Sequence, residues 1–77
     1  MKNNTIINTR LEDLLNVMDA RAYVDIFEQV GEYQELLRSN KIYNLISNQE
    51  FIGKYGAYKV IGLSVTLAVT SILIEEA

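Results

Sequence analysis

The sequence predicts a small α+β domain, ordered helix, strand, strand, helix, strand, strand, with an antiparallel sheet covered by helices. Three observations carry this. Leu11, Leu14, Leu15 and Met18 fall at i, i+3, i+4, i+7, the spacing of one apolar helix face. In AYVDIFEQ, Ala22–Gln29, Val24 and Ile26 alternate with Tyr23, Asp25 and Phe27, a period of two. The uncharged run VIGLSVTLAVTSILI, Val60–Ile74, is rich in β-branched residues and too short for a membrane-crossing helix.

The first helix is expected near Arg10–Asp19. Thr9-Arg10-Leu11-Glu12 reads as a capping box, and Glu12 and Asp13 place negative charge where the helix dipole favours it. The strand Ala22–Gln29 follows, with one buried face and one mixed, aromatic face. Gly31 supplies a turn within Val30-Gly31-Glu32. Tyr33–Arg38 is expected to return as a second strand, although Gln34, Glu35, Leu36 and Leu37 also suit a helix. Ser39-Asn40 offers the cap of a second helix, in which Ile42, Leu45, Ile46 and Ile52 keep helical spacing across a polar gap at Asn48-Gln49. Gly53 and Gly56 are expected to close it.

The final apolar run admits two readings. A membrane span needs about 20 apolar residues, and this run stops at Lys59 on one side and Glu75 on the other. Ile61, Leu63 and Val65 sit on odd positions, whereas Ile72 and Ile74 sit on even ones, so the register must reset between them. Two strands, about Tyr58–Thr66 and Ser71–Glu76, satisfy this, or one long bent strand. The connecting tip Leu67-Ala68-Val69 has none of the residues that tight hairpins prefer. Apolar Leu67 and Val69 are therefore candidate self-association residues, and a homo-oligomer is an expectation.

Composition limits the chemistry. Residues 1–77 suit a single domain, with residues 1–8 read as a flexible or edge segment. There is no Cys and no His, which removes disulfides, the common zinc ligands and the usual nucleophile–base pairs. No Ca²⁺ loop, Walker sequence or dinucleotide fingerprint is present, and no cofactor or metal is expected. The net charge is −3 and the seven basic residues are scattered singly, which argues against direct nucleic-acid binding. The start MKNNTIINTR lacks the apolar run of a secretory signal, so the expected address is the cytoplasm.

Candidate partner-binding residues are Tyr23, Asp25, Phe27, Glu28, Glu32, Tyr33 and Glu35, around the first hairpin. Tyrosine gives large contact area with a polar tip, and acids line the same segment. No pocket or nucleophile accompanies these carboxylates, so they do not read as an acid–base pair and the chain is not expected to be an enzyme.

LEDLLNVMDARAYVDIFE and YKVIGLSVT…ILIEE resemble small proteins encoded by phages and prophages of Gram-positive bacteria. The resemblance lies in a leading L-x-x-L-L helix, a V-x-I strand and a closing strand pair ending I-x-I. It implies an α+β fold and a phage context, hence the host cytoplasm, and no activity. Such proteins usually carry polar turn residues where this chain has Leu67-Ala68-Val69. The expected function is a small non-enzymatic protein-interaction module, a phage-encoded inhibitor or modulator of a host defence or regulatory complex. The alternatives are an oligomeric binder of a small nucleotide-type ligand and a short membrane-inserting peptide through Val60–Ile74.

Overall fold

The computed structural model describes residues 9–77. The segment 1–8, expected to be flexible or an edge, lies outside the described residues. The elements are α1 (Leu11–Val17), β1 (Tyr23–Val30), β2 (Tyr33–Lys41), α2 (Ile42–Ile46), α3 (Gln49–Tyr55), β3 (Lys59–Thr66) and β4 (Val69–Glu75). They form a four-stranded sheet in the order β2-β1-β4-β3.

The α+β class agrees with the sequence, but the sheet is mixed and not antiparallel throughout. β1 pairs with β2, and β3 with β4, in antiparallel fashion, while β1 and β4 lie parallel at the centre. The connection between the hairpins explains this. Residues 42–58 carry the chain back to the end at which β2 began, so β3 runs in the same direction as β2. Its partner β4 then runs with β1. Such a return needs a dozen or more residues, and the helices supply them.

One face of the sheet is covered. Val24 and Ile26 on β1, Ile72 and Ile74 on β4 and Val60 on β3 pack with Leu11, Leu15, Ile42, Leu45 and Phe51 from the helices. Burying each large aliphatic side chain contributes about 1.5–3 kcal/mol. Because β1 and β4 are central, their inward residues are fully buried, whereas edge strands β2 and β3 remain largely exposed.

Several local expectations are corrected. α1 starts without its predicted capping box: Arg10 is the N-cap and makes no side-chain cap bond. Instead the Leu11 and Glu12 N–H groups donate to the Tyr58 and Gly56 carbonyls, each at 2.9 Å. Tertiary backbone thus satisfies the orphan donors that Thr9 was expected to take. Tyr33–Arg38 is a strand, and β2 runs on to Lys41, absorbing Ser39-Asn40, the predicted cap. The second helix is two helices. The polar gap breaks it, and Asn48 caps α3 by accepting from the Phe51 N–H at 3.0 Å. The break resets the helical phase, so Phe51 is buried where Ile52 was expected.

Of the two glycines expected to close the helix, Gly56 does so and Gly53 does not. Gly53 lies inside α3, and Gly56 caps it at φ −59°, a right-handed conformation. What Gly56 supplies is room. A Cβ there would sit 2.5 Å from the Ile52 carbonyl oxygen and 2.8 Å from Glu12 Oε1. Val60–Ile74 is a hairpin and not a helix. No helix among the described residues is long and apolar enough to cross a membrane. The turn itself is Leu67-Ala68, and Val69 already belongs to β4.

Candidate interaction surface

Strand alternation decides which side chains reach the uncovered face. With Val24 and Ile26 turned to the helices, Tyr23, Asp25 and Phe27 point away from them. Pairing places Ser71 and Leu73 of β4 beside Asp25 and Phe27, and Ser39 and Leu36 of β2 on their other flank. The register shift between Ile26 and Phe27 makes Leu37 an extra residue, which turns it toward the core and leaves Leu36 outward, 53% exposed.

Local hydrogen bonds order one end of this face. The Tyr23 hydroxyl donates to the Ser39 carbonyl at 3.2 Å, and the Ser39 hydroxyl donates to the Asp25 carboxylate. Beyond them a shallow groove of about 410 Å³ is lined by Phe27, Gln34, Gly62, Ser64, Ser71 and Leu73 among others. Gly62 faces Leu73 across the β3–β4 pair and has no side chain to fill it. The groove pairs apolar walls with hydroxyl and amide groups. Phe27, Gln34, Ser64 and Ser71 carry no formal charge.

The seven predicted partner-binding residues do not form one site. Tyr23, Asp25 and Phe27 share the uncovered face. Glu28 and Glu35 oppose each other across β1 and β2 on the other side of the sheet, past the helices. Glu32 lies in the turn, and Tyr33 follows it, 78% exposed. Glu28 nonetheless acts at a distance. The Tyr58 phenol is raised above its ordinary value, first by burial and then by the negative charges of Glu28 and Glu76. Of the predicted self-association pair, Leu67 is 94% exposed at the turn, and Val69 is half-buried.

One grouping was not legible in the sequence. Arg38, Glu50, Phe51, Lys54 and Tyr55 line a hollow of about 370 Å³ on the helical side. The Arg38 guanidinium lies 5.6 Å from the Phe51 ring centroid, and the Lys54 ammonium 5.3 Å from that of Tyr55. Phe51, Tyr55 and Tyr58 lie in series, the first pair tilted and the second edge-to-face, with centroids 5.3 and 5.1 Å apart. Arg38 and Lys54 are sixteen residues apart and looked scattered; only the pairing of β2 with β1 beneath α3 brings them together. Among the described residues no three acidic side chains gather as a metal site would require.

Comparison of the chain with protein-family models, with curated proteins and with solved structures finds no match.

Proposed function

We propose that the chain is a non-enzymatic protein-interaction module that receives a protein partner on the uncovered face of its sheet. One observation carries this reading: among the described residues helices cover only one face, and the other presents Tyr23, Phe27, Leu36 and Leu73 around an open groove edged by hydroxyl and amide groups. Aromatic anchors surrounded by hydrogen-bonding groups are what contact surfaces use. In the phage setting that the sequence resemblance implies, the partner is a host defence or regulatory protein, and binding blocks or modulates it.

The test is site-directed photo-crosslinking in host cells from position 27, on the uncovered face, and from position 50, on the helical side. The reading expects one discrete adduct from position 27, lost when Tyr23→Ala or Leu73→Ser is added, and none from position 50. Equal labelling from both positions refutes it.

A second reading is favoured by the hollow at Arg38 and Lys54. Two cations beside aromatic rings suit a small anionic ligand such as a nucleotide. Thermal shift against nucleotide second messengers, repeated with Arg38→Ala and Lys54→Ala, decides it. Self-association through Leu67 is part of the same reading, supported by that residue's exposure. A light-scattering mass equal to the monomer at high concentration rejects it.

A further inference from the structure

Among the described residues β2 forms one edge of the sheet, and Arg10 lies at the other edge, beside Lys59 of β3. Val30 and Tyr33 flank the two-residue turn of the first hairpin and form a hydrogen-bonded pair. Alternation from that pair directs the backbone groups of Tyr33, Glu35, Arg38 and Asn40 to β1, and those of Gln34, Leu36, Ser39 and Lys41 outward. Two contacts agree with this. The Lys41 N–H donates to the Asn40 side chain at 2.7 Å, and the Ser39 carbonyl accepts from the Tyr23 hydroxyl at 3.2 Å.

β2 carries charge of both signs. Glu35 and Arg38 lie within it, Glu32 just precedes it and Lys41 ends it. Glu35 opposes Glu28, and Arg38 opposes Ile26. Glu28 and Ile26 share a face of β1, so Glu35 and Arg38 share a face of β2. Their odd separation in sequence would otherwise put them on opposite faces. The extra residue Leu37 corrects the parity.

We propose that two copies of this chain join β2 to β2 across a two-fold axis, in an antiparallel register that sets Glu35 of each copy opposite Arg38 of the other. The axis then falls between Leu36 and Leu37. Gln34 meets Ser39 as a hydrogen-bonded pair, since both point outward, and the Ser39 carbonyl has a second lone pair for it. Glu35–Arg38 and Tyr33–Asn40 are non-hydrogen-bonded pairs, whose side chains come closest. Each opposed pair shares a face. Gln34 and Ser39 lie on the uncovered face, and the other two pairs on the helical one. Glu32 comes near Lys41. Leu36, 53% exposed, lies beside its own copy at the axis, which makes an apolar centre flanked by ion pairs. Charges and a bulge ordinarily keep an edge strand from pairing. Here they select one pairing. Centring the axis on Glu35 sets that carboxylate against itself, and moving the pairing on by two residues leaves Glu35 facing Asn40 with no ion pair. The charge pattern of β2 is thus complementary to itself, and that makes the occupant a second copy. No step rests on the uncovered-face reading, and Leu67, between β3 and β4, lies away from this edge.

Sedimentation equilibrium on the full chain tests it. The unaltered chain should dimerise, and Glu35→Lys should weaken the association about tenfold or more. That substitution also relieves the like-charge contact with Glu28, so the variant stays folded and loss of the dimer is not loss of the fold. Adding Arg38→Glu exchanges the signs and should restore the dimer. The chain has no cysteine, so Tyr33→Cys/Asn40→Cys reports the register directly. Oxidation should link two copies of that double variant. Within one copy the two positions are about 20 Å apart along the strand and cannot bond to each other. A monomeric mass at every concentration overturns the proposal. So does a dimer that Glu35→Lys leaves intact, a dimer that Leu67→Ser abolishes, or a disulfide formed equally well by either single-cysteine variant.

Discussion

The two hairpins turn with the same number of residues and by different means. In β1–β2, Val30 pairs with Tyr33 and the turn is Gly31-Glu32, with Gly31 at φ +60°. Glycine at the first position is what a type II′ turn asks for. In β3–β4, Thr66 pairs with Val69 and the turn is Leu67-Ala68, at φ 52° and 68°. Both residues occupy the left-handed region, where an L side chain costs about 1–2 kcal/mol. Leu67 recovers nothing by burial, since it is 94% exposed. The first hairpin is therefore written into its own turn. The second is imposed from outside, because β4 buries Ile72 and Ile74 completely and a one-residue slip would turn both to water.

The largest expected effects test whether the central strands hold both hairpins in place. Ile26 and Ile72 are neighbours across the parallel pair and are fully buried. Ile26→Ala and Ile72→Ala should each lower stability by about 2–5 kcal/mol in urea unfolding. As direct neighbours, the two should not add in the double variant. If Ile72→Ala costs under about 1 kcal/mol, in the range of a surface change, β4 does not impose the second turn.

The next effects act on the turns and should have opposite signs. Leu67→Asn with Ala68→Gly places the favoured type I′ pair where the backbone already has that conformation, and should raise stability by about 1–2 kcal/mol. Gly31→Ala meets nothing within 4 Å, so its cost is backbone strain alone, about 1–2 kcal/mol in the destabilising direction. Thermal unfolding of the two variants gives the comparison directly. A neutral Asn-Gly replacement would mean that Leu67 and Ala68 carry no strain.

This contrast also marks what could be read from the sequence. α1 was legible because Leu11 and Leu15 lie on one helical stripe, and β1 because Val24 and Ile26 alternate with polar neighbours. Gly31 announced its own turn. The second hairpin was legible only through the parity of its apolar residues, since Leu67-Ala68 carries no turn signal. The parallel pairing of β1 with β4 was not legible, because it depends on how far residues 42–58 carry the chain. Phe51 was overlooked because a helix break at Ser47-Asn48 changes phase, and a single period was read through it. On the uncovered face, Tyr23, Asp25 and Phe27 followed from alternation. The meeting of Arg38 with Lys54 did not, because no local pattern links a strand to a helix sixteen residues on.

A smaller effect concerns charge at the end of the first hairpin. Glu28 and Glu35 stand directly opposite each other. Like charges so placed are destabilising, by about 0.2–1 kcal/mol. Glu35→Lys should stabilise the fold by an amount of that order, and added salt should shrink the gain. No change at low salt would mean that the side chains splay apart into water.

The smallest effect links the hairpins to each other. Tyr58 precedes β3, and its phenol is raised from the ordinary 10.0 by burial first, then by Glu28 of the first hairpin and by Glu76, with Lys54 opposing. The folded chain thus favours the neutral phenol more than the unfolded chain does. That contribution to stability is complete below the unfolded value and is lost as pH rises through the folded one. Glu28→Gln removes one of the secondary causes and leaves the largest in place. In an alkaline titration followed by the Tyr58 ring resonances, the midpoint should fall toward 10.0 and stay above it. A midpoint that does not move would show that the first hairpin exerts no field at the base of the second, and that burial with Glu76 and Tyr55 accounts for the displacement.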